Sequence, residues 1–354
     1  MTDWHESRTN TYEYYLVDPK SWNNRMKLDN VTSGSVTRDA EKDTLVSATL
    51  EVDGEDLGEF YVRIYLVAIQ NGIRDRRPLG TFLVQTSSSK FDGKTKSPSL
   101  TAYSPLLEMK DNQPPLGYAV RKGAKALEQV TNSFLDYCRA PVIPVSSPND
   151  TLEVDFVADP NDTWISFNND MLAQAKYYID LDEMGRVMFA PIQEVEAMQP
   201  VFTYNDDNSS ILYPEVTKSI DIYGIPNTLE VVYSGDDHYM TAVAINDDPN
   251  SLISTVSRGR TVFKRIENPG ILGVPTQGEL QEYANKTLRE LSEVDCQISY
   301  QHGYNDVRIN DCVRLNYQRA GLSNIKAKVI KQKINCDTEC KVDETVVFKK
   351  KLWG

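Results

Sequence analysis

The stretch Thr276–Leu291, TQGELQEYANKTLREL, decides the fold class, because a helical pattern ends there and strand patterns follow at once. Thr276 can cap the helix, and Glu279, three residues on, can complete a capping box. Apolar side chains then recur at helical spacing: Leu280, Tyr283, Ala284, Leu288 and Leu291. We therefore predict one amphipathic helix whose apolar stripe needs a partner.

Residues 298–348 show the alternation typical of strands. The alternating positions are Ile298, Tyr300 and His302, then Val313, Leu315 and Tyr317, then Ile325, Ala327 and Val329, and finally Val346–Phe348. A helix that cannot bury its stripe alone must lie against a sheet. We predict that these strands form a small β-barrel or curled sheet plugged by the helix.

A second set of strand patterns lies near the N-terminus, at Val46–Val52, Phe60–Ala68, Gly80–Val84 and Leu100–Tyr103. Phe60–Ala68 carries apolar side chains on both faces, with Tyr61, Tyr65 and Val67 on the second one. Such a strand is covered on both sides. We predict that the core covers one face and a neighbouring subunit the other.

The middle of the chain changes to helical spacing. One stripe runs from Ala124 to Cys138 and another from Trp164 to Ala175, and a hairpin follows with its turn at Gly185. The predicted fold class is therefore mainly β with an α+β insertion: two tube-like β-barrel domains flank a small α+β domain. The predicted segments are an N-terminal arm (1–35), a first β domain (36–117), the α+β domain (118–204) and a second β domain with one helix (205–354).

The composition is that of an ordered globular protein, with 354 residues, 40% apolar, 25% charged and a formal net charge of −13. No apolar run approaches the roughly 20 residues that cross a bilayer. The first residues lack the basic start and apolar core of a signal peptide. We expect a soluble chain made in a reducing cytoplasm, with no membrane insertion. Its acidity disfavours adhesion to nucleic acid.

The five cysteines, an odd number, lie mostly in segments with helix or strand patterns. Buried free thiols are the expected state for them. Cys336 and Cys340 could supply two metal ligands, but no second pair and no suitably spaced histidine accompanies them. We predict no metal and no cofactor.

Catalytic groupings are sparse. The sequence has no nucleotide-binding glycine loop, P-loop, HExxH motif or nucleophile elbow. Asp237-His238 could be a catalytic dyad, but a hydrogen-bonded surface histidine in a turn is the preferred interpretation. Glu153 and Asp155 could serve a glycosidase, although sequence cannot set the separation of their carboxyl groups. We predict a non-enzymatic protein with no catalytic residues.

Clusters of charged residues have simple structural explanations as well. Three Asp-Asp pairs (206–207, 236–237 and 247–248) lack the spacing of a calcium loop and are predicted to form turns. Arg74, Arg76 and Arg77 form a basic group that we predict to be a solvated turn rather than a ligand site.

Three passages resemble the tail-hub, or baseplate-hub, proteins of tailed phages, including the late-control-D type and, more distantly, the N-terminal part of type VI secretion spikes. They are Gly80–Val84 with Leu100–Met109, Trp164–Phe189, and Leu280–Leu291 with Val307–Leu315. The family's Gly-Asp pair is replaced here by Asn310-Asp311, and asparagine tolerates the left-handed backbone that glycine would adopt. The resemblance covers about residues 40–350.

This resemblance implies a homotrimer whose two β domains per subunit form a six-part ring. The ring would match a sixfold tail tube or distal tail protein on one side and a spike, tip or tape-measure protein on the other. DNA would pass through without specific binding. The chain would belong to the virion, at the tail baseplate or tip, after assembly in the host cytoplasm. Many relatives carry an added cell-wall hydrolase domain; this chain stops at Gly354, directly after the second β domain, so any such activity is expected elsewhere. The alternative is a carbohydrate-binding or cell-wall-degrading tail-tip protein that uses its 19 tyrosines and four tryptophans to stack on sugars.

Overall fold

The structure is a computed structural model of the chain. It describes residues 2–53, 58–91, 96–208, 210–235, 238–271 and 273–353. Within these residues the chain divides into two compact units: unit 1 comprises Met1–Val216 and Ser299–Val346, and unit 2 comprises Thr217–Ile298 and Val347–Gly354. The predicted division into four segments stays a prediction.

The described residues are mainly β. The strands, in chain order, are β1 Thr9–Val17, β2 Asn24–Leu28, β3 Val31–Asp39, β4 Val46–Val52, β5 Tyr61–Gln70, β6 Ile73–Phe91, β7 Lys96–Tyr103, β8 Ala119–Val120, β9 Phe156–Val157, β10 Tyr177–Leu181, β11 Val187–Pro191, β12 Phe202–Asn205, β13 Leu212–Ile220, β14 Thr228–Ser234, β15 Tyr239–Ile245, β16 Phe263–Glu267, β17 Glu293–Gly303, β18 Cys312–Tyr317, β19 Leu322–Asn335 and β20 Lys341–Lys351. The helices are α1 Leu107–Lys110, α2 Ala126–Tyr137, α3 Trp164–Gln174, α4 Thr255–Arg258 and α5 Gln277–Leu291.

One large sheet has the strand order β13-β17-β20-β19-β3-β4-β7-β6-β5-β1-β2, with β18 pairing to β19 and β12 to β18. The pairings β1–β5, β5–β6, β6–β7, β4–β7, β3–β4 and β3–β19 are all antiparallel. The pairing of β3 with β19 joins the N-terminal strands to the C-terminal ones. The mainly β class with its α+β insertion is thus confirmed. The strand order shows no closing pair within the described residues, so closure into a tube stays a prediction.

The core of unit 1 collects one face of each N-terminal strand. Val62, Ile64 and Leu66 of β5 are fully buried together with Phe82 and Val36. The predicted alternation at Val46–Val52 and Phe60–Ala68 is confirmed. Residues 1–35, where we predict an arm, contain β1, β2 and the start of β3.

The second face of β5 is covered within the same chain, so the predicted need for a neighbouring subunit there is wrong. Tyr61 is 2% exposed and packs edge-on against Trp22, with ring centroids 5.0 Å apart. Tyr65 is 6% exposed and stacks under the guanidinium of Arg76, 3.6 Å from its ring centre. The aromatic residues that look available for a partner are used by the N-terminal strands and β6.

The α+β module in the middle of the chain forms as predicted. Helix α2 buries Leu127, Val130 and Phe134, and α3 buries the predicted Trp164 stripe. Strands β10 and β11 form the predicted hairpin, and Gly185 has the expected positive φ of 72°.

Unit 2 contains the helix from which the fold class was predicted. The capping box between Thr276 and Glu279 is confirmed. The helix packs on the small sheet β15-β14-β16, however, and not on the C-terminal strands, so the predicted plug is wrong. Leu280 and Leu288 meet a face that includes the alanines of β15, and alanine lets a helix approach a sheet closely.

The described residues include no helix that is both long and apolar enough to span a membrane. All five cysteines are free and buried, as predicted.

Candidate functional site

A closed polar cluster lies around Glu344 in the interior of unit 1. Glu344 of β20 is 1% exposed, and His302 of β17 is 0% exposed. Tyr300 Oη donates to Glu344 Oε1 at 2.5 Å, and Gln332 Nε2 donates to Oε2 at 2.6 Å. His302 Nε2 lies 3.4 Å from Glu344 Oε2. One carboxylate therefore holds three strands, β17, β19 and β20.

The charge of Glu344 is stabilised in place. Burial acts to raise the pKa of Glu344, but His302 and the hydrogen bonds from Tyr300 and Gln332 outweigh it, so the pKa lies below its ordinary value. Hydrogen bonds that favour the charged form act in this direction. The same burial raises the pKa of Tyr300, which keeps its hydroxyl a donor.

The cluster extends to the N-terminal strands. Gln332 Oε1 accepts from Arg38 Nη1 at 3.2 Å, and Arg38 Nη2 donates to the carbonyl of Leu79 at 3.2 Å. On the other side Asn305 Nδ2 donates to Tyr204 Oη at 2.9 Å. These residues are all buried, so the cluster can hold strands together but cannot contact a substrate.

A second set of buried polar contacts fixes the β10–β11 hairpin. The carbonyl of Met184 accepts from Trp22 Nε1 at 2.8 Å, from Thr81 Oγ1 at 2.9 Å and from Arg63 Nη2 at 3.1 Å. A Cβ added at Gly185 would lie 2.7 Å from the Cβ of Thr81. The turn therefore needs glycine for its close approach as well as for its backbone angle.

Arg63 is the least expected member of this set, because it lies in the middle of β5 and is only 1% exposed. It also donates to Thr81 Oγ1 at 2.7 Å and to the carbonyl of Trp22 at 3.1 Å. Burial lowers the pKa of Arg63. The strand thus buries a guanidinium to anchor the hairpin.

The outer face of the unit 2 sheet carries exposed apolar side chains beside one ion pair, in which Arg265 Nε lies 2.6 Å from Glu230 Oε2. On the side opposite α5, Tyr239 is 71% exposed, Val243 43%, Ile245 52% and Phe263 53%. Ile245 and Phe263 both pair with Thr228 in the register and so flank it. Exposed apolar patches of this kind are typical of interaction surfaces. We call these four side chains the outer face.

The residues considered for catalysis do not come together. Glu153 and Asp155 are both exposed, and Asp155 Oδ2 binds Arg121 Nη1 at 2.8 Å. His238 is exposed, while Asp237 and its neighbour Asp236 lie outside the described residues. Over the residues that the structure describes, no group of three side chains could hold a metal ion.

The basic group at Arg74, Arg76 and Arg77 lies in strand β6, so the predicted solvated turn is wrong. Arg74 and Arg76 both pair with Glu13 of β1, with Arg76 Nε at 2.9 Å. The acidic partner is distant in sequence, which is why the cluster looked unpaired. The predicted turn at Asp247-Asp248 is confirmed, because Asp248 Oδ1 accepts from the backbone of Asn250 at 2.8 Å.

Sequence reasoning missed Arg63, Gln332 and Glu344. For two of these residues the sequence contains a signal of burial. Arg63 lies between Tyr61 and Tyr65, and Glu344 lies between apolar positions on its strand. A polar residue at an apolar position of an alternating strand indicates a buried hydrogen-bonded group.

Comparison with known proteins shows the fold. No protein-family model matches the sequence, and no curated protein matches it. The structure is similar to the tail protein from Neisseria meningitidis MC58, with a TM-score of 0.63, 11% identity and 96% of each chain covered. It is also similar to the 43 kDa tail protein of prophage MuSo2 from Shewanella oneidensis, with a TM-score of 0.61, 10% identity and coverage of 97% and 98%.

A third similar structure is the Francisella PdpA–VgrG complex, with a TM-score of 0.55 and 12% identity; 97% of this chain and 58% of that chain are covered. Asn310, which stands in place of the glycine of the tail-hub pattern, has the left-handed φ of 69° that the resemblance predicts. The predicted resemblance is confirmed in fold: this chain folds like phage and prophage tail proteins and like a type VI spike-related protein.

Proposed function

We propose that this chain is a structural component of a phage tail. The observation that carries the proposal is the likeness to two tail proteins over 96–97% of this chain and nearly all of theirs. A likeness of that extent includes the α+β insertion as well as the β parts. The proposed place is the virion, at the tail baseplate or tip, after assembly in the host cytoplasm.

The finer proposal is a trimeric hub. Three copies would close around a central passage, with a tail tube or distal tail protein on one side and a spike, tip or tape-measure protein on the other. The fold supports this role, since it is shared with tail proteins and with the VgrG complex. The buried polar contacts around Glu344 and Met184 suit a rigid adaptor.

We propose the outer face of unit 2 as a contact between copies. Its side chains Val243, Ile245 and Phe263 are apolar and exposed, although they lie on a folded sheet. Strands β15 and β16 are the two edges of that sheet in the described part of unit 2. A sheet with two different free edges can associate head to tail, which is the arrangement that generates rings.

The charge of the chain supports passage of DNA without specific binding. At a formal net charge of −13 the protein as a whole repels phosphate. Retention of DNA depends on lysine and arginine contacts that release counterions. A wall of this composition would let the polymer move.

A non-enzymatic role is proposed as well. The carboxylates considered for hydrolysis are exposed, Asp155 is paired with Arg121, and the cluster around Glu344 is closed to any substrate. The tail-tip alternative that stacks sugars on tryptophan receives little support from Trp164, which is 2% exposed in the core of the α+β module.

The test measures the mass of the assembled protein in solution and the location of the chain in tail particles. Light scattering of the purified full-length chain should give three times its mass of 40.1 kDa. Ile245→Lys should reduce that value toward one chain, because it places a charge in the outer face. Ile73→Lys is the matched control: Ile73 is also exposed, at 69%, but lies at the start of β6 in unit 1.

Location is tested by labelling tail particles with an antibody against the chain. The label should lie at one end of the tail. A stable monomer for the unsubstituted chain would contradict the trimer, and tail particles without the chain would contradict the tail role itself.

A further inference from the structure

A cavity of about 440 Å³, lined by both polar and apolar side chains, opens on the surface of unit 1. It lies between the β3–β4 connection, helix α3, strand β10 and the backbone around Asn310. Its volume lies in the range of small-molecule sites, roughly 300–1,000 Å³. Nothing in the proposed structural role uses it.

The charges in the lining leave a cation available. Glu41 binds Lys331 at 2.7 Å, and Asp43 binds Lys110 at 2.8 Å, so both acidic groups of the cavity mouth already have partners. Among the residues that the structure describes, Lys328 forms no direct ion pair and donates no side-chain hydrogen bond, although the carboxylates of Asp180 and Glu194 act on its charge.

Lys328 is half-buried, and its ammonium lies 5.4 Å from the ring centre of Tyr178. Burial lowers the pKa of Lys328, although the negative charges of Asp180 and Glu194 act in the opposite direction. Burial therefore outweighs the attraction of these two carboxylates, and an anion bound in the cavity would add a closer charge partner for the ammonium of Lys328.

Neutral polar groups line the same cavity. The side chains of Asn169, Tyr177 and Asn310 line the cavity and make no side-chain hydrogen bond within the described ranges. Asn310 is held in place by its backbone, whose N–H donates to the carbonyl of Val329 at 2.8 Å. Burial raises the pKa of Tyr178 to about 12, so its hydroxyl is a donor at neutral pH.

We infer that this cavity binds an acidic sugar, with its carboxylate or phosphate on Lys328 and its hydroxyls on Asn169, Asn310 and the tyrosines. Amide and phenol groups satisfy both the donors and the acceptors of sugar hydroxyls. A tyrosine ring offers an apolar face to the sugar ring. The site is independent of the buried cluster around Glu344, and it gives a tail protein a means to hold a surface glycan.

Calorimetric titration of the purified full-length chain tests the inference. The probes are glucuronate, glucose 1-phosphate, glucose and inorganic phosphate, with a glutamate-rich peptide as a further arm. Both acidic sugars should bind at least about tenfold more tightly than glucose and than phosphate alone, a difference of about 1.4 kcal/mol. Equal binding of glucose overturns the role of the charge.

Three substitutions locate the site. Lys328→Gln should weaken binding of glucuronate by about tenfold or more, and Lys328→Arg should retain it. Lys333→Gln is the matched control, because Lys333 is an exposed lysine on the same strand that does not line the cavity. It should bind like the unsubstituted chain.

Four results would overturn the inference. They are no binding of any sugar, equal binding by the Lys328→Gln and Lys333→Gln variants, phosphate alone binding as tightly as glucose 1-phosphate, and the peptide binding as tightly as glucuronate. The last result would indicate a protein segment as the occupant.

Discussion

The interiors of the two units are built from different chemistry. Unit 1 buries a guanidinium at Arg63, which donates to Thr81 and to the carbonyl of Met184, and a carboxylate at Glu344, which accepts from Tyr300 and Gln332. Unit 2 has an apolar core between helix and sheet, where Leu280 and Leu288 of α5 pack on Leu229 and its neighbours.

The two interiors differ in how strictly each one specifies its side chains. Apolar packing tolerates exchange of similar side chains, whereas a buried polar group needs each of its partners in place. We infer that the polar contacts of unit 1 fix the register of its long sheet and the seat of its hairpin, while unit 2 needs only a matching stripe. Substitutions in the two interiors should therefore differ in size and in pH dependence.

The largest effect is expected for Glu344→Ala. It leaves Tyr300, Gln332 and His302 without their common acceptor, and breaking a buried pair of this kind costs about 3–5 kcal/mol. Urea unfolding should show the loss, and hydrogen exchange should rise in β17, β19 and β20. Glu339→Ala is the control, since Glu339 is exposed and should leave the midpoint nearly unchanged. A small effect for Glu344→Ala would mean that the polar cluster is not what holds these strands.

A smaller effect is expected in unit 2 from Leu288→Ala. Leu288 is fully buried against the sheet, and such truncations cost about 2–5 kcal/mol depending on how far the site relaxes. Exchange should rise in α5 and β15 and stay unchanged in β19. Lys286→Ala on the exposed side of the helix serves as control. Faster exchange in β19 would show that the two interiors are not separate.

The pH dependence should distinguish the two regions. The pKa of Glu344 is lowered in the folded chain, so its contribution is fully present above the unfolded value, near 4.5, and is lost as the pH falls through the folded value. The stability difference between the unsubstituted chain and Glu344→Gln should therefore narrow below about pH 4.5. The stability difference between the unsubstituted chain and Leu288→Ala should not narrow over the same pH range. If the unfolding free energies of the unsubstituted chain and of Glu344→Gln changed in parallel with pH, this would contradict a charged Glu344 in the folded chain.

The smallest effect is expected at the start of α5. Thr276→Ala removes the cap at this end and should cost about 1 kcal/mol. The same substitution at Thr287, within the helix, removes no cap and should leave stability unchanged or slightly higher, because alanine favours helix. Thermal unfolding of the two variants side by side measures the difference. Equal midpoints would indicate that the capping box contributes little.

The sequence predicts what local periodicity controls. The strands of residues 46–103, helices α2, α3 and α5 and the capping box follow from spacing, whereas the left-handed Asn310 is expected from the resemblance to tail-hub proteins. The sequence does not predict which sheet α5 packs against. The apolar stripe of α5 could cover any apolar sheet face, and only the path of the chain through the fold places it on β14–β16.

The coverage of β5 could not be predicted for a related reason. Trp22 and Arg76 are distant in sequence from Tyr61 and Tyr65, so their contacts have no local signal. The buried polar cluster around Glu344 could be predicted from the sequence only in part. The position of Glu344 indicates a buried polar group, but the partners named above come from two other strands, β17 and β19, and are specified only by the folded register.

The most direct test of the central proposal is electron microscopy of the purified full-length chain, combined with its mass in solution. The account predicts rings of three copies around an open centre, lost in Ile245→Lys and retained in Ile73→Lys. Single compact particles with the mass of one chain at micromolar concentration would contradict it.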